Sequence, residues 1–227
     1  MKEKLVDYLL RYITDHKKQL MDKVLDERTR HIAIVLEDIF QPQNASAVVR
    51  TCDCFGIQDI HVIENKNKYT INPDVTLGSS KWVDIIKYNN PDKNNTKDCF
   101  ETLKRNGYKV IATSPHKNDV NLDQLPLGEK IALVFGTEKD GLSEEALAYA
   151  DGFVKIPMVG FTESLNISVC AAITIHHLTH KLKQSNVNWK LSDDEKDAIK
   201  IKWIRKIIKK SELIEQEYVK RYNNIHG

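Results

Sequence analysis

Three short segments of this 227-residue chain carry polar side chains next to a strand ending or a helix beginning, where ligands are usually held. In the first, Gln41-Pro42-Gln43-Asn44 follows an apolar run, and Arg50 comes almost two helical turns after Asn44. Alone, this pair reads as an Asn N-cap and a surface arginine. In the second, Gly136 and Gly141 flank the charged turn Thr137-Glu138-Lys139-Asp140. The turn lies at the carboxyl end of an expected strand, where open α/β sheets bind ligands. It is no phosphate loop, because Leu142 stands where the required lysine would be. In the third, Ile156-Pro157-Met158-Val159-Gly160 leads through Phe161-Thr162-Glu163 into Ser164-Leu165-Asn166-Ile167-Ser168. Its simplest role is to start a helix with Ser164 as cap. A hydrolase nucleophile at Ser164 is disfavoured, since no G-x-S-x-G elbow surrounds it.

Other candidates carry less. Cys52 and Cys54 point to different faces of a helix, and no second pair has zinc-finger spacing, so no metal is expected. His176 and His180 share a helix face, but the glutamate of the zinc-protease motif is missing between them. A helix over Lys196–Lys210 sets Ile199, Trp203 and Ile207 on one side, with a basic remainder.

The elements that must position these residues alternate. Strands are expected at Ile32–Leu36, Ile60–Ile63, Val83–Ile86, Tyr108–Thr113, Ile131–Phe135 and Phe153–Ile156. Helices are expected at 3–25, Ala45–Phe55, Thr96–Asn106, Ser143–Ala150 and Ser164–Leu182, then a charged helical stretch to residue 222. This pattern predicts an α/β fold with a mostly parallel sheet flanked by helices. The expected division is a helical N-terminal extension at 1–28, the α/β domain at 29–182 and a basic helical extension at 183–227. No stretch of 18 apolar residues and no signal core is present. Cys52, Cys54, Cys99 and Cys170 lack disulfide-framework spacing. A cytoplasmic protein with reduced thiols and no membrane span is expected. The net charge of +2 is unevenly spread: residues 1–30 carry +2, residues 31–180 carry −5 and residues 181–227 carry +5. A polyanion is therefore expected at the ends of the chain rather than at its middle.

Taken together and in this order, the three segments resemble the motifs of the SPOUT class of RNA methyltransferases, and within it the TrmH (SpoU) family of ribose 2′-O-methyltransferases. The first motif's Asn and Arg correspond to Asn44 and Arg50. The G-x-E-x-x-G turn corresponds to Gly136, Glu138 and Gly141. I-P-M-x-G and S-L-N-[VI]-S correspond to Ile156–Gly160 and Ser164–Ser168. The likeness covers residues 29–182. It implies a C-terminal deep trefoil knot, which general topology rules would not suggest, and a homodimer with the active site near its interface. It also implies S-adenosyl-L-methionine as cofactor, held by Thr113, Gly136, Thr137, Ile156, Met158 and Leu165. Asn44, Arg50, Glu138, Ser164 and Asn166 are the implied catalytic set. An arginine is a poor general base in proteins, so Arg50 is read as a phosphate clamp that stabilises a developing alkoxide. The terminal helices resemble those of members that methylate guanosine 18 in the D-loop of tRNA. The alternatives are 23S rRNA as substrate, or an inactive RNA-binding relative. Arg50, Lys200, Lys206, Lys209 and Lys210 are the expected RNA-binding residues.

Overall fold

The run Ile32–Glu37 forms a strand, β1, buried along its whole length. Ile32, Ile34 and Leu36 enter one apolar layer, and Ala33 and Val35 enter the other. This is the two-residue alternation of an extended chain. A strand buried on both faces belongs at the centre of a parallel sheet. In this computed structural model, residues 4–114, 120–137 and 140–226 are described. Among them, β1 is joined by β2 (Asp59–Ile63), β3 (Asp84–Tyr88), β4 (Tyr108–Thr113), β5 (Val120–Asn121), β6 (Lys130–Phe135) and β7 (Gly152–Lys155). The sheet order is β3-β2-β1-β6-β4-β7-β5, and every neighbouring pair is parallel.

Helices cover both faces. On the Ile34 side, α3 (Pro42–Cys54) contributes Val48, Val49 and Cys52, and α7 (Ile167–Lys183) contributes Ala171, Ile175 and Leu178. On the other side, α5 (Asn95–Arg105) contributes Cys99, Phe100 and Leu103, and α6 (Glu144–Tyr149) contributes Ala146. A fully buried Leu, Ile or Phe contributes roughly 1.5–3 kcal/mol, so the two layers supply the main driving force of this unit. It spans Thr29–Trp189.

Residues 4–28 and 190–226 belong to a separate helical unit. The stretch expected as one helix at 3–25 is two, α1 (Leu5–Leu10) and α2 (Asp15–Leu25). The side chain of Thr14 caps the second by accepting from the Lys17 amide, which restarts the helix after a break. The C-terminal stretch is also two helices, α8 (Asp193–Ile207), opened by a Ser192/Glu195 capping box, and α9 (Ser211–His226). Lys210 breaks them apart with φ of 62°. The helix expected over Lys196–Lys210 therefore ends at Ile207, and Lys209 and Lys210 lie in the turn. Within this unit Leu9, Leu25, Ile199, Trp203 and Ile204 are buried. Ion pairs join Lys4 to Asp197 (2.9 Å), Lys196 to Asp26 (2.7 Å) and Lys200 to Asp22 (2.6 Å).

Two helix starts in the α/β unit depart from expectation. Helix α3 begins at Pro42, with Gln41 as N-cap, because proline needs no amide partner in a first turn. Asn44 is thus inside the first turn and is not the cap. Helix α7 begins at Ile167 with Asn166 as cap, its side chain accepting from the Ser168 amide. Ser164 stays in the loop before it. A short α4 (Pro73–Thr76) and β5 were not anticipated. Among the described residues no helix is long and apolar enough to cross a membrane.

One buried ionisable group makes the fold acid-sensitive. His61 on β2 is 6% exposed, with Nδ1 3.0 Å from the Tyr88 hydroxyl, and burial pushes its pKa down to about 4. It is neutral when folded and takes a proton when unfolded below about pH 6.5. Stability is therefore expected to fall as pH drops from about 6.5 towards 4, by up to roughly 3 kcal/mol from this group. Calorimetric melting of His61→Gln across this window should show a shallower pH slope than the unsubstituted protein; an equal slope would refute the assignment.

Candidate active site

A cleft of about 410 Å³ opens at the carboxyl ends of β4, β6 and β7, which are neighbours in the sheet. Ligands bind at this end of parallel strands because the loops leaving them converge there. Strand β4 delivers Thr113 and Ser114, β6 delivers Phe135, Gly136 and Thr137, and β7 runs into Ile156 and Met158. The Thr113 hydroxyl donates to the carbonyl of Val134 (2.8 Å) and the Ser114 amide to that of Val154 (3.1 Å). These bonds fix the end of β4 against both neighbours.

The wall after β6 has a specific shape. The Thr137 amide donates to the Gly141 carbonyl (2.9 Å), and the Gly141 amide to the Thr137 carbonyl (3.1 Å). Gly141 takes φ of 70°, a region open mainly to glycine. A Cβ on Gly136 would lie 2.3 Å from the Gly141 carbonyl oxygen. The two glycines therefore let the turn fold back on itself. Beyond it, Ser143 caps α6 by accepting from the Ala146 amide.

The opposite wall is the segment before α7. Ser164 and Leu165 line the cleft, followed by Ile167, Cys170 and Thr174 on one face of α7. Burial pushes the Cys170 thiol pKa up, so it lines the wall as a neutral group. Asn166, between these residues, faces another element: its Nδ2 donates to Asn44 Oδ1 (3.3 Å), and Asn44 Nδ2 donates to Gln41 Oε1 (2.9 Å). The cap of α7 is thereby tied to the first turn of α3.

The residues singled out from the sequence fall in different places. Thr113, Gly136, Thr137, Ile156, Met158, Leu165 and Ser164 all line the cleft. Asn44 is buried and joined to Asn166. Arg50, on α3, is exposed and is not part of the cleft wall. Glu138 lies outside the described residues. In the helical unit, Lys200 is held by Asp22 with its side chain only 15% exposed. Lys206 sits in the last turn of α8, and Lys209 and Lys210 are exposed beyond it. Asp140 and Glu163, within the segments singled out from the sequence, also line the cleft, as do Lys155, Cys170 and Thr174, which escaped the sequence reading. For Cys170 and Thr174 a signal existed: they follow Ile167 by three and seven residues, one face of a helix. Cys52 is buried and Cys54 exposed. Among the described residues, no three His, Cys, Asp or Glu side chains cluster to hold a metal.

Known proteins share both the sequence and the architecture. The sequence profile of the SpoU rRNA Methylase family matches residues 31–176. A tRNA (guanosine(18)-2′-O)-methyltransferase of Borreliella burgdorferi is 47% identical over 212 residues, covering 93% of this chain and 95% of that protein. One of the same description from Thermus thermophilus is 35% identical over 166 residues, covering 73% of this chain and 83% of that protein. The crystal structure of the Aquifex aeolicus TrmH/SpoU tRNA modifying enzyme superimposes with a TM-score of 0.76 at 29% identity. It covers 86% of this chain and 98% of that one.

The glycine turn yields a direct test. Gly136→Ala places a methyl group where the Gly141 main chain already stands, and relieving such overpacking typically costs about 1–3 kcal/mol. Thermal melting should drop accordingly, whereas Gly128→Ala, with nothing within 4 Å of its added Cβ, should melt within a degree or so. Equal melting of the two variants would show that the turn is not closed in this way.

Proposed function

This chain belongs to the SpoU methylase family, and we propose that it transfers a methyl group from S-adenosyl-L-methionine to the ribose 2′-hydroxyl of guanosine 18 in tRNA. One observation carries the chemistry: the Asn44–Asn166 bond links the helix bearing Arg50 to the segment lining the cleft. The likeness to guanosine-18 methyltransferases over nearly the whole chain supports the substrate. The description of the family as rRNA methylases supplies the second reading, a ribosomal RNA ribose.

The cleft suits the cofactor. Phe135, Ile156, Met158, Leu165 and Ile167 offer apolar surface for an adenine, and Gly136 lets main chain approach closely. Asp140 and Glu163 bring carboxylates to a site that would receive a sulfonium cation. When bound, the cofactor supplies an electrophilic methyl group. The rest falls to the chain's own residues. Arg50 brings a guanidinium, a group that does not serve as a base in proteins. It grips an RNA phosphate through its bidentate fork and stabilises negative charge developing on the ribose oxygen, leaving the phosphate to take the proton. Asn44 and Asn166 keep α3 in register with the cleft. Ser164 and Glu138 orient the ribose and the loops.

A homodimer in the cytoplasm completes the proposal. Val159 and Phe161 are fully exposed, and Val169 and Ile173 of α7 are 46% and 41% exposed. Apolar side chains exposed together in this way suit a second copy of the chain. The segment that runs from β7 through α7 is the part expected to thread the family knot.

Unmodified tRNA transcript, incubated with the protein and methyl-labelled cofactor, should carry label on the ribose of guanosine 18. Label on ribosomal RNA and none on tRNA would replace that substrate. Arg50→Ala should lower turnover by at least about 100-fold, with S-adenosylhomocysteine still binding in calorimetry. Turnover within about tenfold of the parent would remove Arg50 from catalysis.

RNA affinity should rest on cations that the protein leaves accessible. Replacing Lys209 and Lys210 together by Gln is expected to flatten the salt dependence of tRNA binding, by roughly 0.7–0.9 in log–log slope for each phosphate that is no longer neutralised. An unchanged slope, measured by filter binding, would assign these lysines to a solvated face.

A further inference from the structure

The last residue of β1 is an acid that the motifs do not include. Glu37 is 2% exposed. Its Oε1 accepts from the hydroxyls of Thr96 and Ser143, each at 2.8 Å, and its Oε2 from the Ser143 amide at 2.9 Å. All three of these donors are neutral. A carboxylate taken out of water is costly unless its lone pairs are filled, and a sheet end needing only cohesion would be served by an apolar residue.

The bonds run to two places. Ser143 directly follows Asp140, Gly141 and Leu142, which line the cleft. Thr96 accepts from Asn65 Nδ2 (2.9 Å). The amides of Asn65 and Lys66 donate to Asp38 Oδ1, each at 2.7 Å. Asp38 immediately follows Glu37, takes φ of 53° and leads into the loop before α3. A ring of bonds thus passes through Glu37, Thr96, Asn65 and Asp38. The segment after β2 that carries Asn65 also reaches α3, where the Asn72 amide donates to the Ser46 hydroxyl (2.8 Å).

We propose that Glu37 is a positioning residue for methyl transfer: its buried carboxylate holds the cleft wall ending at Ser143 in fixed relation to the helix that carries Asn44 and Arg50. This rests on the functional reading above. A carboxylate suits this place because the Ser143 oxygen accepts from the Ala146 amide and the Thr96 oxygen from Asn65, and each hydroxyl gives its single proton to Glu37. A glutamine there leaves the Ser143 amide without its acceptor in one amide orientation and both hydroxyls without theirs in the other.

The test compares full-length variants in steady-state methylation and in calorimetry with S-adenosylhomocysteine. Glu37→Gln should raise the cofactor KM and Kd by at least about tenfold, with the KM for tRNA unchanged. Ser143→Ala should act in the same direction, and Ser143→Thr, which keeps the hydroxyl and the cap, should restore the parent values. If Glu37→Gln does not fold, the Ser143 pair decides. Cofactor KM and Kd within about twofold of the parent, alongside a lowered melting temperature, would overturn the proposal and make the network a stability element only. A parent chain that binds no S-adenosylhomocysteine would instead overturn the functional reading, an outcome visible before any variant is made.

Discussion

The cleft depends on how closely main chain can approach main chain at the end of β6. A side chain at Gly136 would fall on the Gly141 carbonyl, so the doubly bonded turn between Thr137 and Gly141 exists only because that side chain is absent. The turn brings Thr137, Asp140 and Leu142 round beside Thr113 and Ile156. Three adjacent parallel strands end side by side here, and the segment before α7 with one face of that helix forms the opposite wall.

Helix α7 serves three surroundings at once. Ile167, Cys170 and Thr174 face the cleft, Ala171, Ile175 and Leu178 face the core, and Val169 and Ile173 are exposed. A helix apolar nearly all round is normally buried all round. Here the first two directions are accounted for within the chain, and the third suits a second copy. His176 and His180 lie on this helix with rings stacked 6.3 Å apart, and Phe55 packs edge-on against His176.

Charge is distributed by unit as well as by segment. The helical unit carries a net +4 and the α/β unit −2. Much of the basic charge in the helical unit is internally committed. Lys4, Lys196 and Lys200 pair with aspartates, and Arg205 pairs with Glu215 through two bonds of 2.7 and 2.8 Å. Arg28 is buried beside the Trp203 ring. Formal charge therefore overstates the cation density available to a polyanion, and location in the fold decides which lysines count.

Much of the architecture was legible because it follows from local periodicity. The apolar run at Ile32–Leu36 could only be an interior strand, and Gly136 and Gly141 marked a turn that ordinary side chains would not permit. Helix starts were less legible. Asn44 and Ser164 looked like caps by residue type, yet Gln41 and Asn166 occupy those positions, because capping depends on where the chain enters the helix and not on which polar residue stands nearby. The bond between Asn44 and Asn166 spans 122 residues, and no local pattern encodes it. Lys200 and Lys209 looked equivalent as basic residues of one stretch, until the packing of α2 against α8 set Asp22 beside the former. Glu37, just past the expected strand Ile32–Leu36, drew no reading at all, since its donors lie 59 and 106 residues away. Composition and periodicity by themselves determined most of the elements and the fold class, and the resemblance of the three motifs pointed to the family. Tertiary structure alone decided which polar groups meet, because hydrogen bonds and ion pairs act over a few ångströms and depend on where the folded chain places each partner.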